Sequence, residues 1–159
     1  MIHYLLQSTQ ITDVNRVLFA DQQHPEAVDY LSTLTLIGLK EHFGQQCSPL
    51  FPAPWIYRDY DGDVSHLYGR GFGTTRLLDP DLRADNELSG AAEELRYQDF
   101  DSLVIGSISR NAELAEELAR YFAPDRTIWI HGEDTPPLPE DMRTYRQAGA
   151  HLFVRSIDV

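Results

Sequence analysis

"FDSLVIGSISRNAELAEELARYFAPDRTIWIHGED", Phe100 to Asp134, is the stretch whose reading decides the fold. "FDSLVIGS" is a short apolar run and predicts a strand. "NAELAEELARYF" predicts a helix, with Leu114, Leu118 and Tyr121 on one face and a Glu116–Arg120 pair on the other. "RTIWI" is a second apolar run, and it runs straight into His131, Gly132, Glu133 and Asp134. Strand, helix and strand in succession imply a crossover connection and a parallel sheet.

The pattern extends in both directions. Downstream, "PEDMRTYRQAG" predicts a helix with proline at its start and glycine at its end, and "AHLFVRSI" predicts a last strand. Upstream, "RVLFA", Arg16 to Ala20, reads as a buried strand. "HPEAVDYLSTLTLIGLKEHFG" reads as a helix that opens near Pro25 and stops at Gly44, with Ala27, Tyr30, Leu31, Leu34 and Ile37 at helical spacing. "GAAEELRYQ" reads as a short helix. From Cys47 to about Asn86 both periods are poor. Pro49, Pro52 and Pro54 alternate there with Phe51, Trp55, Tyr57 and Tyr60, and "LYGRGFG" follows. This segment is expected to be a strand plus a long ordered excursion, because its aromatics can bury enough surface to offset ordering entropy.

The expected architecture is α/β: a three-layer sandwich around a mostly parallel sheet of about five strands, Rossmann-like or flavodoxin-like. A chain of 159 residues is expected to form a single domain over 1–159, carrying the excursion around 47–86. The net charge of −12 disfavours nucleic acid as a partner, since the 13 Lys and Arg are scattered and form no basic patch. Cys47 is the lone cysteine, which excludes an intrachain disulfide and any multi-cysteine metal site, and its surroundings suggest a structural role. No apolar run reaches the length of a membrane span, and "MIHYLLQSTQ" lacks the basic start of a signal peptide. A cytoplasmic location is expected.

In open α/β sheets, ligands bind beyond the carboxyl ends of the strands. That rule selects Asp21, then Ser107, Ser109, Arg110 and Asn111, then His131, Glu133 and Asp134, and finally Arg155. Asp21, Arg110, His131, Glu133 and Arg155 are expected on one rim. Arginine among carboxylates and a histidine suits phosphate or sugar binding, or acid–base work. Each residue also has a local role open to it. Asn111 is well placed to cap a helix, Gly132 to turn the chain sharply, and Glu133 and Asp134 to cap the helix after Pro136 and Pro137.

Several motifs are incomplete. "GSISRN" lacks the glycines of a dinucleotide fingerprint, and no phosphate-loop Lys-Ser or Lys-Thr pair occurs. "DYDGDVSH" begins like a calcium loop, but its glycine falls early, at Gly62, and Arg70 stands where the bidentate Glu belongs. The six histidines show no close metal-ligand spacing, so neither a metal nor a cofactor is expected.

Read together, "LYGRGFGTTRLL", "FDSLVIGSISRN", "TIWIHGEDTPP" and "AHLFVRSID" resemble the N-terminal Rossmann-like half of bacterial glycosyltransferase-like proteins. The resemblance implies a sugar or nucleotide-sugar ligand; the strand-end rule gives Asp21, Ser107, Arg110, His131, Glu133, Asp134 and Arg155 as the residues expected to bind it. The donor-binding half of such enzymes would follow Val159. A partner chain supplying a second domain, or a homo-oligomer, is therefore expected, and a complete transferase is not. Trp55, Tyr57, Arg70 and Phe72 are the candidate interface residues. "FDSLVIGS" and "RQAGAHLFVRSID" are also similar to the central strand and the last helix and strand of response-regulator receiver domains. Gly106 and Ser107 stand where a receiver has its acceptor Asp, and Arg155 stands where it has Lys. That resemblance implies a non-catalytic scaffold or interaction subunit.

Overall fold

The computed structural model describes residues 2–9, 11, 13–22, 29–67, 73–89 and 96–155. Five strands form one sheet: β1 (Val17–Ala20), β2 (Cys47–Pro49), β3 (Ser102–Ile105), β4 (Thr127–His131) and β5 (His151–Val154). Their order is β2-β1-β3-β4-β5 and every pairing is parallel. This is the flavodoxin-like order, in which the chain reverses its direction of travel between β1 and β3.

The strands are apolar throughout because both faces are covered. Alternate residues feed two separate clusters. Val17, Phe19, Val104, Ile128 and Ile130 pack with helices α1 (Ile2–Thr9) and α2 (Tyr30–Phe43) on one face. Leu18, Ala20, Leu103, Ile105 and Trp129 pack on the other with α4 (Ala112–Leu118) and Tyr145 of α5 (Pro139–Ala148). A further helix, α3 (Asp85–Ser89), follows the excursion after β2.

The structure adds an element that the sequence pattern did not announce. Ile2 to Thr9, within "MIHYLLQSTQ", is helical. Ile2 and Leu5 are buried against the sheet, and Tyr4 meets the Phe153 ring of β5 at 6.0 Å. At Gly38 a β-carbon would lie 2.8 Å from Ile2 Cγ1, so glycine lets α1 and α2 approach closely.

Two readings of α2 need correction. The helix begins at Tyr30, where the Asp29 side chain accepts from Leu31 N, and not at Pro25. Ala27 and Pro25 lie outside the described residues. The buried side is not the face of Tyr30, Leu31 and Leu34; it carries Ser32, Thr33, Thr35, Leu36, Ile37, Leu39 and Lys40. Polar groups can sit inward because each is satisfied. Thr33 Oγ1 donates to Asp29 O at 3.0 Å and Thr35 Oγ1 to Leu31 O at 2.8 Å, while Ser32 donates to Asp21.

After β2 the chain is held by a few long-range ties. Tyr57 bridges Leu78 in parallel, and Ile56 and Tyr57 are fully buried. The expected helix at Gly90–Gln98 falls largely outside the described residues; Tyr97–Asp99 is a 3₁₀ turn. No helix among the described residues is long and apolar enough to cross a membrane.

Candidate functional site at the carboxyl ends of the strands

Parallel pairing brings Asp21, Gly106–Ser107, His131 and Arg155 to the same edge of the sheet, each at or just past the end of its strand. Backbone bonds tie these ends together. Gly106 N donates to Ala20 O at 3.0 Å, Ile108 N to Ile130 O at 2.8 Å, and Arg155 N to His131 O at 2.9 Å.

Three polar groupings occupy this rim. The first is centred on Asp21, whose side chain is completely buried. Its Oδ1 accepts from Asn111 Nδ2 at 2.7 Å and from Arg110 Nε and Nη2 at 3.2 and 3.0 Å. Its Oδ2 accepts from Arg110 Nη2 at 2.8 Å and from the Ser32 hydroxyl. Arg110 also reaches the Asp29 carboxylate at 3.5 Å. Charge-assisted, forked contacts of this kind satisfy a carboxylate without solvent or ligand. Asn111 is therefore committed elsewhere than expected. Its side chain caps nothing on α4; it donates to Asp21 and to Ser107 O, and its Oδ1 accepts from Gln22 N at 2.7 Å.

Gly106 shows how tight this grouping is. A β-carbon there would meet Asp21 Oδ2 at 2.6 Å, Asp21 Cβ at 2.8 Å and Ser32 Oγ at 2.8 Å. No side chain fits at the end of β3, because the Asp21 carboxylate already fills the space.

The second grouping lies between the ends of β3 and β4. Glu133 Oε1 accepts from Ser107 Oγ at 2.7 Å and from the Ser109 hydroxyl. Burial alone would raise the Glu133 pKa. The two serine hydroxyls outweigh it and, with His131 nearby, hold the group below the ordinary glutamate range. Glu133 Oε2 and His131 Nδ1 lie 3.2 Å apart, buried, and not aligned for a hydrogen bond; neither has a hydrogen-bond partner among the described residues. Both hydroxyls are spent on the carboxylate and neither meets the imidazole, so no nucleophile–base relay is formed.

The third is an exposed pair, Arg155 Nη1 with Asp134 Oδ1 at 2.7 Å; the Arg155 guanidinium lies 5.7 Å from the Tyr30 ring centroid. The capping role expected for Glu133 and Asp134 is overturned. The N-cap of α5 is Leu138, without a side-chain cap, because both carboxylates are engaged across the rim. Gly132 is also needed for a different reason than expected. Its φ is not positive; a β-carbon there would crowd Leu31 Cδ2 at 2.8 Å.

Of the candidate interface residues, Trp55 and Tyr57 are described. Tyr57 is fully buried and donates to both Glu87 oxygens, at 3.0 and 2.9 Å. Trp55 is half-buried, while Arg70 and Phe72 lie outside the described residues.

Sequence reasoning missed a second charged centre. Lys40 of α2 and Glu87 of α3 form a buried ion pair, with side-chain exposures of 0% and 3%. Lys40 also donates to Leu82 O at 3.2 Å, and Ala84 N donates to Glu87 at 3.0 Å. The only usable signal was that Lys40 is the sole lysine in the chain. Beside this pair, burial pushes the Cys47 thiol up to about 12, with Lys40 opposing and Glu87 adding to the effect.

Fold and rim together define a class: an α/β protein with a five-stranded all-parallel sheet, Rossmann/flavodoxin-like, whose charged side chains gather at the carboxyl ends of the strands. Comparison with protein-family models, with curated proteins and with solved structures finds no match to this chain.

Proposed function

We propose that the chain is a receiver-like binding module, a non-catalytic interaction subunit, and that it performs no phosphotransfer. The observation that carries this reading is the closed reversal point between β1 and β3. Proteins with this strand order place ligands there. Here the Asp21 carboxylate occupies the space of a side chain at Gly106, and Arg110 neutralises it. A carboxylate so engaged is poorly placed to collect a divalent cation, and position 106 offers no phosphoryl acceptor. The test is incubation with magnesium and acetyl phosphate, read by intact mass and thermal shift. Unchanged mass and melting temperature are expected; a stable phosphoryl adduct overturns the reading.

A second reading keeps the glycosyltransferase-like resemblance and treats the chain as a half that binds a sugar or nucleotide sugar. What favours it is the Ser107–Ser109–Glu133 corner, where Glu133 remains one-third exposed and hydroxyl and carboxylate oxygens face the rim together. A rise in melting temperature with a nucleotide sugar, abolished by Glu133→Gln, would favour this second reading over the first.

A further inference from the structure

The face of the sheet under α4 and α5 is covered unevenly. Not one residue of α5 is buried, although Tyr145 meets Trp129 edge-on, with ring centroids 5.7 Å apart at 86°. Between the two helices lies a cavity of about 390 Å³. Phe122, Trp129 and Tyr145 form part of its lining, and the small side chains of Ala119 and Ala148 leave space between them. A volume of this order falls in the range of small-molecule sites, and aromatic walls with few polar groups are their usual lining.

The charged side chains lining the cavity are Glu113 and Glu116, both acidic, both exposed and both on α4. Neither forms an ion pair among the described residues. Asp21, Asp59, Glu87 and Asp134 are matched to arginine or lysine, whereas Glu113 and Glu116, like several other exposed carboxylates, are not. An apolar cavity edged by two unmatched carboxylates selects for an apolar body that carries a positive charge. Trp129 and Tyr145 offer the apolar body an aromatic surface to pack against.

We propose that this cavity binds a small organic cation, an aryl-alkyl amine in chemical class, with its ring against Trp129 and Tyr145 and its ammonium toward Glu113 and Glu116. The cavity adjoins the rim through Ile108, but the proposal does not rest on the reading given above.

The test uses the full chain and three probes of one shape: 4-phenylbutylamine, 4-phenylbutanol and 4-phenylbutyrate. Binding is followed calorimetrically at low salt and by Trp fluorescence in a Trp55→Phe background, where Trp129 is the remaining indole. The amine is expected to bind about tenfold more tightly than the carboxylate. Glu113→Gln with Glu116→Gln should erase that difference and leave phenylbutanol unaffected. Ala119→Leu, which keeps a strong helix former, should fill the cavity and abolish binding of all three, with its melting curve confirming the fold. Equal affinity for amine and carboxylate overturns the proposal, as does binding that survives Ala119→Leu, or no binding at all. Binding of a basic amphipathic peptide in the absence of amine binding also overturns it, in favour of a protein partner.

Discussion

The molecule holds two charged centres that differ in how they are shielded. Lys40 and Glu87 lie inside, where α2 meets α3, with both side chains cut off from solvent. Asp21 and Arg110 lie at the rim, where the carboxylate is buried and the guanidinium is 31% exposed. Each carboxylate is saturated by donors: Tyr57, Ala84 and Lys40 for Glu87, and Arg110, Asn111 and Ser32 for Asp21. The interior centre ties an excursion of weak periodicity to α2. The rim centre ties the end of β1 to the loop after β3. The comparison teaches that a buried carboxylate in this chain works as a fastener, whether it lies inside or at the rim.

Breaking the interior pair should have the largest effect. Lys40→Met leaves Glu87 charged and buried, and loss of about 3–5 kcal/mol is expected by denaturant unfolding. Glu87→Gln combined with it should recover part of that loss, because the stranded charge is gone. A loss under about 1 kcal/mol for Lys40→Met would mean that water reaches Glu87, and the contrast with the rim would collapse.

Arg110→Ala should cost less, about 2–3 kcal/mol, because solvent can partly replace an exposed guanidinium. It also sharpens the functional reading. Freed from Arg110, Asp21 should gain a magnesium-dependent rise in melting temperature that the parent protein lacks. Gly106→Ala probes the same space from the other side. Its β-carbon would collide with Asp21, and about 1–3 kcal/mol of destabilisation is expected from the crowding.

The smallest effect belongs to the Ser107–Ser109–Glu133 corner. Because the folded-state pKa of Glu133 lies below its unfolded value, its contribution is fully present above the unfolded pKa. That contribution is lost as pH falls through the folded one, so the window is below the ordinary glutamate range near 4.5. Glu133→Gln should therefore flatten the acid side of the stability profile and cost about 1 kcal/mol or less at pH 7. Retention of the full acid slope would show that Glu133 does not titrate with folding. Beside the interior pair, Cys47 should resist iodoacetamide at pH 8 until the protein unfolds, since burial keeps its thiol protonated.

The alternation of apolar runs and helical periods was a local property, and it carried the class of fold correctly. Strand ends were legible for the same reason: an apolar run that stops at Ala20, Ile105 or Ile130 tells where the next polar residue emerges. Asp21, Ser107, His131 and Arg155 could thus be assigned to one rim. Their partners could not. Asp21 meets Arg110 across 89 positions and Lys40 meets Glu87 across 47. Such distances carry no period, because the pairing depends on which helix lies against which strand.

The sequence by itself determined that this chain alternates strand and helix, that its sheet is parallel, and which residues stand at the strand ends. Only the tertiary structure decided the strand order, the use of "IHYLLQST" as a covering helix, and the inward turn of the polar side of α2. It alone decided that the Asp21 carboxylate fills the space beside Gly106. Local patterns record which surfaces must be covered. What covers them, and whether a charge meets solvent or a counter-charge, is settled only when distant segments pack.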